Sequence, residues 1–261
     1  MNRIKMAFEL LNKTNSKAFV PYMMAGDGGL DCLVDRLIFL EKFGATAIEV
    51  GVPFSDPVAD GPTIQRAGMR ALQNGTTLRG IIEELAKARE HVSIPIILMT
   101  YLNPIYAFGI DSFVEATNNA GIDGCIIPDL PLEEEDMIAP KLSEVGVELI
   151  RLVTPTTPVE RIKQISSKGR GFLYAVTIKG ITGTRIDMDK ELYSFLNVVK
   201  SFSPLPVLAG FGIDNHDQIM ELSNYCDGVV VGSKIVELFN ENKMDELKHL
   251  LSINKKMSQM T

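Results

Sequence analysis

Eight times along the chain, a short apolar run rich in β-forming residues gives way to a segment with helical periodicity. The runs occupy residues 18–24, 47–52, 94–100, 124–127, 148–153, 172–177, 206–209 and 228–231. They are apolar throughout rather than alternating, which is the pattern of parallel strands covered on both faces. Between them, Leu30, Leu33, Val34, Leu37 and Ile38 recur at helical spacing, with Gly44 as a stop. Asp111 or Ser112 can cap a helix that runs through Ala120 and ends at Gly121. Glu133, Glu134 and Glu135 suit the positive end of a helix that Gly146 closes. Shorter helices are expected at 217–224 and 233–240. Units of this kind, without a low-complexity linker, predict an α/β chain folded as one (β/α)8 TIM barrel domain over residues 1–261; a doubly wound open sheet is the alternative. Ile4, Phe8 and Leu11 predict an extra N-terminal amphipathic helix, and the sequence past Lys243 an extra C-terminal one.

Charge and cysteine usage narrow the function. A net charge of -7 argues against a nucleic-acid surface and keeps anionic membranes at a distance, yet backbone amides could still hold a phosphate. Cys32, Cys125 and Cys226 are too scattered for a disulfide framework or a zinc site and read as small buried apolar residues. His91, His216 and His249 stand apart and read as solvated helix positions. The apolar stretch at the N-terminus is too short for a signal segment, and no run approaches the ~18 residues of a membrane span. The expected location is cytoplasmic.

One stretch raises a chemical question. IEVGVPFSDPVADGP, residues 48–62, begins as a strand and places Glu49 inside its apolar part, with no Lys or Arg before Pro62 to neutralise it. Burying a lone carboxylate costs several kcal/mol or more, or forces it to take a proton. In a barrel, working residues stand at the C-terminal ends of strands, where Glu49 falls; apolar crowding there makes a carboxyl a usable acid or base near neutral pH. The other reading is a structural ion pair with a distant cation. Asp56, before Pro57, reads as a turn residue, while Asp60 lies in the same loop. Glycines cluster after three strands: Gly180 and Gly183, Gly210 and Gly212, and Gly232 beside Ser233. Such loops let backbone amides approach a phosphate ester. The segment 177–190 reads as a loop that could serve as a lid. Lys179 within it raises the alternative of a Schiff-base aldolase, but nothing in a polar loop would lower its pKa.

These residues resemble the tryptophan synthase alpha chain family over essentially the whole length. The resemblance is carried by VPYMMAGDG at 20–28, IEVGVPFSDPVADGPTIQRA at 48–67, LMTYLNPI at 98–105, IIPDLPLEE at 126–134, GITGTR at 180–185, LAGFGI at 208–213 and GVVVGSKIV at 228–236. It implies a (β/α)8 barrel that cleaves indole-3-glycerol phosphate to indole and glyceraldehyde 3-phosphate, a carbon–carbon lyase step of tryptophan biosynthesis. By resemblance, Glu49 is the acid/base that moves the proton between the glycerol hydroxyl and C3 of the indole, and Asp60 accepts the indole N–H. Tyr22, Thr100, Tyr101, Ile126 and Tyr174 match positions around the indole, and Thr182 matches a lid threonine that meets Asp60 on closure. Gly183, Phe211, Gly212, Gly232 and Ser233 match the phosphate cradle. The resemblance implies no metal and no organic cofactor in this chain. It implies a beta-chain partner that carries pyridoxal phosphate, in an alpha2beta2 complex. The loop around Asp56 and a loop at 103–108, with Pro104, Ile105, Tyr106 and Phe108, form the expected docking surface. Tyr22 departs from the family pattern, where many relatives carry Phe. A different sugar-phosphate barrel enzyme and a non-catalytic phosphate-binding subunit are the competing readings.

Overall fold

In the computed structural model the described residues are 2–177, 185–210, 212–213 and 216–252. The strands β1 (Ala18–Met24), β2 (Ile48–Gly51), β3 (Ile96–Met99), β4 (Gly124–Ile126), β5 (Glu148–Val153), β6 (Leu173–Val176), β7 (Val207–Gly210) and β8 (Gly228–Val231) pair in order, and β8 closes on β1. Every pairing is parallel. The open-sheet alternative is thereby excluded. β1, β5 and β8 coincide with their apolar runs and β7 is shifted by one residue, whereas β2, β3, β4 and β6 are one to three residues shorter because the flanking residues belong to the turns.

Strand alternation builds two cores. Ile48, Val50, Ile96, Leu98, Leu149, Leu173, Val207, Val229 and Val231 face outward into the layer between sheet and helices. Val20, Tyr22, Met24, Ile97, Met99, Ile126, Ile150, Phe172, Tyr174, Leu208 and Val230 fill the barrel itself. Both faces are dry, which explains the unbroken apolar runs. Since Ile48 and Val50 point out, Glu49 between them must point in.

The outer layer is formed by α2 (Leu33–Lys42), α3 (Pro62–Gln73), α4 (Leu78–Ala88), α5 (Leu102–Phe108), α6 (Ile110–Asn119), α7 (Ala139–Glu144), α8 (Val159–Lys168), α9 (Arg185–Phe202), α10 (His216–Leu222) and α11 (Ser233–Asn240). The helix α1 (Arg3–Lys13) precedes the barrel and α12 (Met244–Leu251) follows it, both as expected. Asn2 caps α1 by accepting from the Lys5 N–H at 2.9 Å. Ile4 and Phe8 then plug the N-terminal end of the barrel, with the Phe8 ring 5.8 Å from Phe172.

Four local expectations are corrected. Segment 103–108 lies in helix α5, since Pro104 is tolerated in a first turn. Neither Asp111 nor Ser112 caps α6; Gly109, at φ 90, takes that place, and Asp111 pairs with Lys141. The three glutamates do not open a long helix. Glu135–Met137 forms a single 3-10 turn before α7, because Glu135 is drawn inward to Arg151 at 2.8 Å. The segment 177–190 is not loop throughout, for α9 begins at Arg185. Cys125 and Cys226 are buried, whereas Cys32 is half-buried. His91 and His249 are exposed; the His216 side chain lies outside the described residues.

Candidate active site

Buried acids around the barrel are partnered, Asp27 after β1 among them, which accepts from Arg70 at 2.7 and 2.8 Å. At the N-terminal end Asp123 accepts from Arg3 at 2.9 Å, Arg89 at 3.0 Å and the Ile96 amide at 2.9 Å. Glu148 accepts from the Asn2 side chain at 2.6 Å. At the C-terminal end Glu49 is 2% exposed, and its Oε2 has no hydrogen-bond partner. A chain that satisfies its structural acids in this way leaves Glu49 unneutralised at the expense of stability. Desolvation, with Asp60 as a second and smaller cause, pushes the Glu49 carboxyl up to about 8. The ion-pair reading of Glu49 finds no described cation to support it.

Asp60 is placed by a different device. The turn Pro57–Asp60 closes with the Asp60 amide donating to Pro57 O at 3.2 Å, and Gly61 and Pro62 then start α3. The Ala59 amide donates to the Tyr101 hydroxyl at 3.0 Å, and that hydroxyl also bonds the Asp60 side chain. The Tyr101 ring in turn stacks on Phe54, with centroids 5.1 Å apart. Burial raises the Asp60 carboxyl to about 6, and the Tyr101 hydrogen bond opposes that rise. At pH 7 Asp60 is therefore mostly an anion and Glu49 mostly an acid.

The interior tyrosines complete the mouth. Tyr22 stands opposite Glu49 in the β1–β2 register, and Tyr174 opposite Leu208 in β6–β7. Each leans along its neighbour strand until its hydroxyl reaches a glycine two residues further on: Gly51 for Tyr22, Gly210 for Tyr174. A Cβ at either glycine would clash with the tyrosine ring and hydroxyl. Burial first, then both acids, raise the two phenols well above their ordinary value, so they stay protonated. Thr100, just past β3, and Ile126, the last residue of β4, are also buried, and the Thr100 amide donates to Ile126 O at 3.0 Å. Glu49, Asp60, Tyr22, Tyr101 and Tyr174 thus share one electrostatic neighbourhood at the C-terminal end.

For the phosphate, α11 opens at Gly232 without a side-chain cap, and a Cβ on Gly232 would lie 3.6 Å from the Tyr22 side chain. Its first amides are therefore uncapped and lie on the Tyr22 side of the mouth, an anion-binding arrangement. Gly212 holds φ +70, a left-handed turn that glycine adopts freely. Thr182, Gly183 and Phe211, and with them Lys179, lie outside the described residues. Sequence reasoning overlooked Gly51 and Phe54, and read Gly210 as a phosphate-loop glycine where it ends β7 beneath Tyr174; a glycine closing an otherwise apolar strand was the available signal for both glycines. Asp56 forms a turn, as expected: its side chain accepts from Ser55 at 2.5 Å and its carbonyl from the Val58 amide at 3.0 Å.

With this geometry in place, the likeness to known proteins is decisive. A family model described as tryptophan synthase alpha chain matches residues 8–261. The tryptophan synthase alpha chain of Bacillus thuringiensis subsp. konkukian is 53% identical over 255 residues, covering 98% of this chain and 97% of that one. The chain belongs to the tryptophan synthase alpha chain family. The Bacillus anthracis tryptophan synthase alpha chain is 52% identical over 255 residues with the same coverage. Among solved structures, tryptophan synthase subunit alpha from Legionella pneumophila str. Paris superposes with a TM-score of 0.90 at 34% identity, covering 100% of both chains. Mycobacterium tuberculosis tryptophan synthase gives 0.90 at 31% identity, covering 100% of this chain and 99% of that one. Membership makes this chain an alpha subunit of tryptophan biosynthesis and a lyase of indole-3-glycerol phosphate. The family also implies a beta-chain partner. Among the described residues no helix is long and apolar enough to cross a membrane.

Proposed function

We propose that Glu49 and Asp60 divide the lyase chemistry between them. Protonated Glu49 gives its proton to C3 of the indole, and the ring becomes cationic towards its nitrogen. Asp60, already an anion, accepts the ring N–H and stabilises that charge. The Glu49 carboxylate then takes the proton of the glycerol hydroxyl as the C–C bond breaks; its electrons return to the ring, and Glu49 is again protonated. The observation that carries this reading is the unequal surroundings of two acids at one barrel mouth: Glu49 is 2% exposed with its Oε2 unpartnered, while Asp60 is hydrogen-bonded to Tyr101. Tyr22, Thr100, Tyr101, Ile126 and Tyr174 enclose the indole in this reading. The phosphate rests on Gly212, Gly232 and Ser233 at the start of α11, with Gly183 and Phe211, while Thr182 meets Asp60 on closure.

The partner is taken to be a beta chain carrying pyridoxal phosphate, assembled as alpha2beta2, with this chain holding no cofactor of its own. Docking is proposed across the barrel mouth, where Val58 is 83% and Tyr106 48% exposed; Ile105 is fully buried and takes no part. We take the barrel with its two terminal helices to be one domain, working in the cytoplasm as a biosynthetic lyase would. The test is indole release from indole-3-glycerol phosphate by wild type and Glu49→Gln, with and without a beta chain. Wild type should release indole and the variant should lose at least about a hundredfold, the scale of a general acid–base contribution. Retained activity in Glu49→Gln, or a borohydride-trapped adduct on Lys179, would overturn the assignment.

A further inference from the structure

Two incomplete groups stand side by side in the barrel. The Tyr22 hydroxyl is buried, the residue being 5% exposed, and its one described hydrogen bond is to the Met24 thioether at 4.0 Å. Sulfur at that distance is a poor acceptor, and a buried donor without a good one destabilises the fold. Opposite it in the strand register is Glu49, whose Oε2 is a buried acceptor with no donor. Inward-facing residues paired across neighbouring strands lie within side-chain reach of each other. The hydroxyl sits over Gly51, two residues past Glu49 towards the mouth. It therefore stands between Glu49 and the entrance, on the side from which substrate arrives.

We propose that the Tyr22 hydroxyl donates a hydrogen bond to the Glu49 carboxylate whenever Glu49 is ionised, so that Tyr22 positions and holds the anion between its two proton transfers. The proposal rests on the acid/base reading of Glu49 above and adds a donor to it. The described charged or titratable groups coupled to Glu49 are Asp60 from the loop before α3, Tyr22 from β1 and Tyr174 from β6, with Tyr101 after β3 coupled to Asp60 and Tyr22. Of these, Asp60 repels the carboxylate. Tyr101 is committed to the Ala59 amide and Asp60. Tyr22 is a protonated donor whose described partner, a thioether at 4.0 Å, is weak, and it stands opposite Glu49 in the strand register. A hydrogen bond to the charged form of an acid lowers the pH at which it ionises. Tyr22 therefore moderates the rise that burial imposes on Glu49.

The test compares wild type, Tyr22→Phe and Met24→Leu in the complex with the beta chain. In Tyr22→Phe the alkaline limb of kcat/KM should move up by about one pH unit, and kcat at pH 7 should fall about tenfold while KM changes less than about twofold. Met24→Leu should leave the limb in place. Infrared titration supplies a second readout that needs no turnover: the carboxylic C=O band absent from Glu49→Gln should persist to higher pH in Tyr22→Phe than in wild type. An unmoved or lowered infrared midpoint, a change in KM alone, or an equal shift in Met24→Leu would overturn the proposal. If wild type released no indole, the functional reading would fall while the infrared midpoint still decided the role of Tyr22.

Discussion

Replacing Glu49 by Gln should make the protein more stable, and increasingly so as pH rises. In the folded chain the Glu49 carboxyl is raised from 4.5 to about 8, so the folded state keeps its proton where the unfolded state has released it. An acid raised in this way contributes no destabilisation below about pH 4.5; the penalty grows through neutrality and is complete above about pH 8. The span is about 3.5 on the pH scale, which at about 1.36 kcal/mol per unit sets an upper figure of about 5 kcal/mol. Water reaching the open mouth lowers this, and a difference of about 3 kcal/mol between pH 5 and pH 9 is the expected result. Gln preserves shape and hydrogen-bonding capacity without charge. Asp60, the tyrosines and the cysteines remain in both proteins, so their titration largely cancels in the comparison. Urea unfolding of both proteins at pH 5, 7 and 9 reads the difference directly. Stability curves that stay parallel within about 1 kcal/mol would show that Glu49 is not held in a dry environment, and the two-acid division would lose its basis.

Three further outcomes test the scaffold beneath the site. Gly51→Ala places a methyl group where the Tyr22 hydroxyl lies, so it should cost about 1–3 kcal/mol in stability and lower kcat. Gly61→Ala, at φ -75 with nothing within 4 Å of the new Cβ, should be near neutral in thermal melts. Arg70 forms a two-bonded ion pair with Asp27, at 2.7 and 2.8 Å, which ties α3 to the loop after β1. Arg70→Ala leaves the buried Asp27 carboxylate short of its partner, and a loss of about 2–3 kcal/mol is expected in chemical denaturation, less than for a fully buried pair because Arg70 is more than a third exposed. Unchanged midpoints for Gly51→Ala or Arg70→Ala would refute the contacts assigned to them.

Much of this protein could be read along the chain because its information there is periodic. A strand covered on both faces is apolar at every position, and β1, β5 and β8 were found with their boundaries intact. Helix α11 was bounded correctly because Gly232 and Ser233 announce its start. Glu49 was conspicuous as a charge inside such a run, and the motif around it carried the family. Positions governed by distant partners were harder to read. Glu135 looks like a helix-opening acid until Arg151, on another element, claims it. The cap of α6 passed to Gly109 for a backbone reason that its sequence neighbours do not show. No pattern in sequence tells that Asp123 and Glu148 are satisfied while Glu49 is not, since the partners lie across the barrel. Local propensity and periodicity act over a few residues, and they determined the order of elements and the closed parallel barrel. Ionisation and orientation depend on which groups meet after chain segments over a hundred residues apart come together, as Asn2 meets Glu148. Only the tertiary structure could decide that Glu49 is buried without a partner near Asp60, with the hydroxyl of Tyr22 over Gly51 on the neighbouring strand.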